Sequence, residues 1–141
     1  MANTRSYGFG IDLHLPYDQA LSAVTEALKA EGFGVLTTID MQGALREKLG
    51  VEIEPYMILG ACNPPLAHRA LGAEQDIGLL LPCNVVVRAA ETGSRVDFAD
   101  PEAMMSIVGN DALAGVASEA RQRLQRVAEA LQPLARRHPD A

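Results

Sequence analysis

Two helical segments with long apolar stripes enclose a series of short strand-like segments, and this order is the strongest constraint on the fold. The first helical pattern covers roughly residues 17–31, and the last begins near Asn110 or Asp111. The strand-like segments are residues 6–15, 33–39, 54–62, 77–89 and 95–98. Strands gathered between two principal helices favour an α+β fold, an antiparallel sheet with helices packed on one face. The other face must then be solvated, bind a ligand or meet another subunit.

The length of the chain predicts one domain. Its 141 residues and 15.0 kDa suffice for a continuous core without metal or disulfide staples. We find no linker or repeat, so residues 1–141 are interpreted as a single domain with its core at about 6–132. Residues 133–141 are expected to form a loose tail.

Charge and composition exclude several classes of partner. The formal net charge of −6 opposes binding to phosphate polyanions, and aromatic residues for base stacking make up only 4% of the chain. Nucleic acid is therefore not an expected partner. No basic segment precedes an apolar run at the N-terminus, and no apolar stretch approaches the length of a membrane span. We expect a cytoplasmic protein that does not bind membranes and keeps its two cysteines reduced.

Both cysteines of the chain are followed by asparagine, in Cys62-Asn63 and Cys83-Asn84. Asn63 precedes two prolines, which is a signature of a helix start, and the resulting helix over 64–71 would carry His68. We expect the two thiols, the two amides and the imidazole to share one neighbourhood. The simplest interpretation remains structural, with cysteines as small core residues and asparagines as capping or backbone-bonding groups.

Two kinds of chemistry are open to these side chains. Cys62 lies just before a predicted helix N-terminus, where a thiolate is favoured, and His68 could act as its base. Cys83 shares a strand face with apolar residues, which predicts burial and a raised pKa. Alternatively, Cys62, Cys83 and His68 could form an open zinc or copper(I) site. Neither a Cys-x-x-Cys nor a His-x-x-x-His motif supports this metal site.

Two neighbouring residues bear on ligand binding. Gly60 shares the predicted strand face of Cys62 and could leave room for a ligand near the backbone. Arg88 shares the strand face of Asn84 and could supply one cation for an anionic small molecule.

Three blocks of the sequence resemble a known family. Residues 58–71, residues 77–87 and residues 31–40 are similar to the signature blocks of the domain-of-unknown-function 302 family. The resemblance extends roughly from Tyr7 to Leu131. It implies a TATA-binding-protein-like fold of order β-α-β(4)-α in a cytoplasmic homodimer of unassigned activity, and it supplies no catalytic residues.

The leading hypothesis is a homodimer that binds a small molecule or a protein partner. The candidate ligand-binding residues are Cys62, Asn63, His68, Cys83 and Asn84. The alternatives are a thiol- or metal-dependent enzyme that uses Cys62, and a purely structural interaction module. The heptad-like apolar stripe of the last helix supplies a physical basis for the dimer.

Overall fold

The computed structural model describes residues 3–4 and 6–135, which form an α+β structure around one antiparallel sheet. The strands are β1 (Asn3–Thr4), β2 (Gly8–Leu13), β3 (Gly34–Asp40), β4 (Tyr56–Cys62), β5 (Cys83–Ala90) and β6 (Gly93–Ala99). The helices are α1 (Tyr17–Ala30), α2 (Met41–Leu49), α3 (Pro64–Ala73), α4 (Pro101–Ser106) and α5 (Ala114–Ala130). Short 3-10 helices cover Gln75–Leu80, Asp111–Leu113 and Gln132–Leu134.

The strands lie in the order β1-β2-β6-β5-β4-β3, and neighbouring strands are antiparallel. The two edges of this sheet differ. The outer side of β2 is paired with β1, and Leu13 also forms a bridge with Ala135. Within the described ranges, no strand pairs with the outer side of β3, where Leu36 is 66% exposed. One edge is therefore covered by the chain's own ends, and the other is open.

Capping signals in the sequence mark several helix boundaries correctly. The Asp40 carboxylate accepts a hydrogen bond from the Gly43 backbone N–H, and α2 ends at Gly50 with a left-handed φ of 68°. The predicted tail is tied to the sheet at its beginning, because the His14 backbone N–H donates to the Leu134 carbonyl at 2.7 Å. The remainder of the predicted tail, residues 136–141, lies outside the described residues.

Helices α1 and α5 pack on one face of the sheet, as the alternating pattern predicts. Phe9, Ile11 and Leu13 on β2 point into this layer. They belong to a group that we call the main core: Phe9, Ile11, Leu13, Ala20, Val24, Leu28, Phe33, Leu59, Ala61, Val85, Val87, Val96, Phe98, Leu124, Val127, Ala128 and Leu131. Alternation over residues 6–15 predicts that Tyr7 shares the face of Phe9, Ile11 and Leu13, but Tyr7 is exposed and does not belong to this layer.

A smaller group of buried residues lies beside the main core, among α3, α4 and the first half of α5. We call it the second cluster, and it consists of Leu66, Ala70, Ile77, Met105, Leu113, Val116, Ala117 and Ala120. The apolar stripe of α5 is thus divided between the two groups. Because this stripe is buried within the chain, it does not provide the dimer surface that its heptad-like spacing suggested.

The apolar run at residues 77–89 is not one strand. Its first part is the 3-10 helix Gln75–Leu80, the Leu81–Pro82 peptide is cis, and β5 begins only at Cys83. Ladder pairing cannot pass through Pro82, since proline has no backbone N–H to donate. Pro82 within an apolar run predicts an edge position, a bulge or a bend at that point. The structure has the bend, and an edge position is wrong because β5 lies between β4 and β6.

An ion cluster around the buried Arg95 occupies the sheet face opposite Val96 and Phe98. The Arg95 guanidinium donates from Nε and Nη2 to Asp97 Oδ1 at 3.1 and 2.9 Å, and its Nη1 lies 3.4 Å from Asp12 Oδ1. A Cβ at Gly10 would collide with the Asp97 carboxylate and would lie 2.8 Å from Arg95 Nη2. The missing side chain of Gly10 therefore makes room for the cluster.

Candidate functional site

An apolar cavity of about 360 Å³ lies between the ends of β4 and β5 and the helices α3, α4 and α5. Cys62 and Cys83 line it from the sheet side. Its helical side includes Leu66, Ala70, Leu71, Met105, Val116 and Ala120. The only polar side chains among its lining residues are the two thiols and Asn63, and none of the lining residues is charged. The cavity therefore suits an uncharged occupant.

Asn63 positions the helical side of this cavity. Its Oδ1 accepts a hydrogen bond from the Leu66 backbone N–H at 3.2 Å, which caps α3 directly after β4 ends. Its Nδ2 donates to the Glu31 carbonyl at 3.4 Å. Because both ends of this amide are engaged within the chain, Asn63 acts as a structural cap at the cavity wall.

The two cysteines lie on adjacent strands. Cys83 opposes Ala61 in the β4–β5 ladder, so Cys62 is the next residue along β4. Burial raises the pKa of the Cys83 thiol to about 11, and the nearby Cys62 contributes to this increase. Burial also raises the pKa of Cys62. Both side chains are therefore neutral thiols at pH 7.

The raised pKa of Cys62 corrects the expectation of a thiolate at the start of α3. The cause of this increase is the loss of solvent around the thiol, which disfavours its anion. The prediction of a raised pKa for Cys83 is confirmed, although its side chain is only partly buried.

His68 does not line the cavity. It lies exposed on α3, two residues from both Leu66 and Ala70, which face the cavity one helical turn apart. The three predicted metal ligands are consequently not assembled. Among residues 3–4 and 6–135, no group of three or more His, Cys, Asp or Glu side chains could hold a metal ion.

Asn84 is also separated from the apolar cavity. It is exposed, pairs with Gly60 across the sheet and lines a neighbouring cavity of about 210 Å³. Arg88, the proposed cation, pairs with Tyr56 and Arg95 and does not line the apolar cavity. The structure therefore brings Cys62, Asn63 and Cys83 together, without His68 and Asn84.

Gly60 has a packing role instead of the predicted ligand-access role. A Cβ at this position would collide with the Thr37 hydroxyl and would lie 2.9 Å from Pro82 Cγ. These side chains already fill the space above Gly60. The absence of a side chain at Gly60 thus allows Pro82, just before β5, to pack closely against β4.

The helical residues that enclose the cavity were not predicted as part of the site. Ala70 and Ala120 are buried in α3 and α5, where small side chains permit close helix approach. Their small size indicates close packing between helices. It does not indicate that a space remains beside them, because that space depends on how α3, α4 and α5 meet.

Two further cavities adjoin the apolar one. The cavity of about 210 Å³ shares Leu81, Pro82 and Cys83 with it and also includes Met104. A third cavity of about 390 Å³ lies along α4 and the start of α5 and includes Glu102 and Asp111. Met105 lines all three.

Comparisons with known proteins agree with this architecture. The sequence model of a family described as "Domain of unknown function DUF302" matches residues 9–131. The crystal structure of the uncharacterized conserved protein DUF302 from Bacillus stearothermophilus is similar, with 28% sequence identity and a TM-score of 0.82. The alignment covers 89% of this chain and 98% of the Bacillus chain. None of the curated proteins matches the chain. No helix in the described part of the chain has the length and hydrophobicity needed to cross a membrane.

Proposed function

Since this chain belongs to the domain-of-unknown-function 302 family, whose description assigns no activity, we propose a function from its site: it binds a small, uncharged, mainly apolar molecule. The apolar cavity of about 360 Å³ carries this proposal. A bound charge would lose its hydration there without gaining a partner, because no charged side chain lines the space. A neutral molecule avoids that cost.

The volume of the cavity limits the size of the ligand. A dry apolar cavity of about 150 Å³ accepts benzene. By proportion, a cavity of about 360 Å³ suits a molecule of about fourteen non-hydrogen atoms. The two thiols are polarizable and offer weak hydrogen bonds, so they are compatible with an aromatic ligand.

The arrangement favours binding over thiol chemistry. A nucleophilic cysteine requires a thiolate or an adjacent base. Burial raises the pKa of Cys62 and Cys83, and His68 lies outside the cavity. A thiol- or metal-dependent enzyme that uses Cys62 is therefore the less supported alternative.

The test uses 2-naphthol, a neutral bicyclic probe, with isothermal titration calorimetry and amide NMR shifts. We expect saturable binding with a Kd of about 0.1 mM, from about 0.5 kcal/mol per non-hydrogen atom. Ala67 lines the cavity, so Ala67→Leu should weaken binding at least tenfold by occupying the space. Ala130→Leu, at the exposed end of α5, is the matched control and should bind like the wild type.

Two results would contradict the proposal. One is the absence of 2-naphthol binding to a folded wild-type protein, and the other is equal binding by the Ala67→Leu variant. Absence of binding would instead support the hypotheses that the chain binds a protein partner or is a purely structural module. Native mass spectrometry of freshly purified protein, beside its denatured spectrum, would then search for a natural ligand as excess mass that is lost on denaturation.

We also propose three finer features. A TATA-binding-protein-like classification is supported by the order of one strand, a helix, four strands and a terminal helix when β1 and the short helices are set aside. A homodimer is supported by the open β3 edge with its exposed Leu36 and Ile39. A cytoplasmic location is supported by two free cysteines. Sedimentation velocity at micromolar concentration tests the dimer, and a monomeric mass would contradict it.

A further inference from the structure

Met105 lies where three cavities meet. Its side chain is only 6% exposed, and it lines the apolar cavity, the cavity that contains Met104, and the cavity that contains Glu102. Of the residues that line these cavities, Met105 is the one common to all three, so its side chain forms part of the boundary of the apolar cavity.

The backbone that carries Met105 is fixed at its N-terminal side. The Asp100 carboxylate accepts a hydrogen bond from the Glu102 backbone N–H at 2.9 Å and caps α4. Arg121 of α5 donates to the same carboxylate from Nε at 3.0 Å. Helix α4 is thus attached to α5 one turn before Met105. The methionine side chain itself is unbranched and has three rotatable bonds, so it can change conformation without moving this attachment.

We propose that Met105 sets the maximum length of the ligand that the apolar cavity accepts. This inference rests on the proposed binding function. With the thioether in place, the cavity accepts compact neutral molecules of bicyclic size. With the thioether removed or rotated, the apolar cavity continues into the neighbouring space of about 210 Å³. Elongated apolar molecules then fit.

The direction of this extension follows from shared walls. Leu81, Pro82 and Cys83 line both the apolar cavity and the cavity that contains Met104. A ligand that passes Met105 therefore remains against the same apolar segment. By contrast, the cavity on the other side includes the carboxylates of Glu102 and Asp111, which offer nothing to a neutral apolar group.

The experiment compares two neutral probes of different length. The shorter is 2-naphthol, and the longer is N-phenyl-1-naphthylamine, whose ~17 non-hydrogen atoms exceed the ~14 that fit by the benzene proportion. Met105→Ala should raise the affinity for the longer probe, relative to the affinity for 2-naphthol, at least tenfold. The matched control is Met104→Ala, because Met104 lines the neighbouring cavity but not the apolar one. It should leave the ratio of the two affinities within about threefold of wild type.

A second measurement needs no substitution in the second cluster. Wild-type protein labelled with ¹³C at the methionine methyl groups is titrated with 2-naphthol. The Met105 methyl signal should shift more than that of Met104, since only Met105 lines the apolar cavity.

An unchanged affinity ratio in Met105→Ala, an equal change in Met104→Ala, or an unperturbed Met105 methyl signal would overturn the assignment of Met105. The proposed binding function would survive those results if wild-type protein binds 2-naphthol and Ala67→Leu does not. Absence of 2-naphthol binding to the wild type would remove both.

Discussion

The main core and the second cluster are built from the same kinds of side chain, but only Phe33 and Ala61 of the main core line the cavities described, whereas most members of the second cluster do. The main core joins α1 and α5 to the sheet, and Val24, Leu28 and Leu124 within it are fully buried. In the second cluster, Leu66, Met105 and Val116 are buried and yet line cavities. Protein interiors are normally close-packed, with few voids larger than a water molecule.

This difference indicates a division of roles within one domain. The main core provides most of the close packing that stabilises the chain, while the second cluster retains space at some cost in packing. Stability and binding are then separable by position, because α5 belongs to both regions over different turns. Changes in its later turns should affect unfolding, and changes around its first turns should affect the cavity.

The largest expected effect comes from equal truncations in the two regions. Leu124→Ala in the main core should lower the free energy of unfolding by about 4 kcal/mol, whereas Leu66→Ala at the cavity should lower it by about 2 kcal/mol. The smaller cost follows because Leu66 already faces empty space and has fewer contacts to lose. Urea denaturation of both variants measures the difference. Equal losses would show that the two regions are equally well packed.

The next largest effect on stability is expected when a methyl group is added at a glycine that has no free space around it. Gly10→Ala should cost about 3 kcal/mol, because the added methyl group meets the Val96 carbonyl and displaces the Arg95–Asp97 ion pair. Gly34→Ala is the control on β3, where a Cβ has no neighbouring atom within 4 Å. It should change stability by less than about 0.5 kcal/mol. Thermal denaturation of the two variants checks this, and a mild Gly10→Ala would show that the ion cluster can rearrange.

Alkaline pH should lower the free energy of unfolding, because the Cys83 thiol in the cavity wall ionises more readily in the unfolded chain. Its pKa is raised from 9.0 to about 11 by burial, so the unfolded chain releases its proton first as the pH rises. The stabilisation is complete below pH 9 and is lost as the pH approaches 11, a loss of about 2–3 kcal/mol. Urea denaturation at both ends of this range should show a smaller decrease for Cys83→Ala than for wild type. Parallel decreases would mean that the thiol is solvated.

The smallest effect is expected at an exposed ion pair that links α3 to α5. Arg69 Nη1 lies 2.9 Å from Glu119 Oε1, and this interaction lowers the pKa of Glu119. Arg69→Ala should reduce the melting temperature only slightly, because exposed pairs contribute little and are screened by salt. The difference from wild type should disappear in 1 M sodium chloride. A large decrease that persists at high salt would show that this link holds the second cluster together.

Local patterns in the sequence predicted the fold more completely than the site. Alternation identified β2, and side-chain chemistry identified the caps at Asp40 and Asn63, because these signals act over a few neighbouring residues. The strand boundary at Cys83 was missed, since an apolar run does not distinguish a strand from a 3-10 helix.

The candidate site was predicted only in part, for a different physical reason. Cys62, Asn63 and Cys83 share a cavity because β4 and β5 are adjacent. The orientation of His68 depends on the rotation of α3, which is fixed by Leu66 and Ala70 packing against other elements. The raised pKa of Cys83 was predicted from its strand face, but the raised pKa of Cys62 depends on burial by these distant elements, which no local motif encodes.

Because the two edges of the sheet differ, a strand from another molecule can extend the sheet at only one of them. A strand from another molecule can pair with β3, but β1 and Ala135 already cover the outer side of β2. Antiparallel addition of a second copy through β3 would give a closed pair with both covered edges outermost. If β1 and Ala135 were detached from β2, each molecule would have two unpaired strand edges. A closed pair could then become the repeating unit of a fibre.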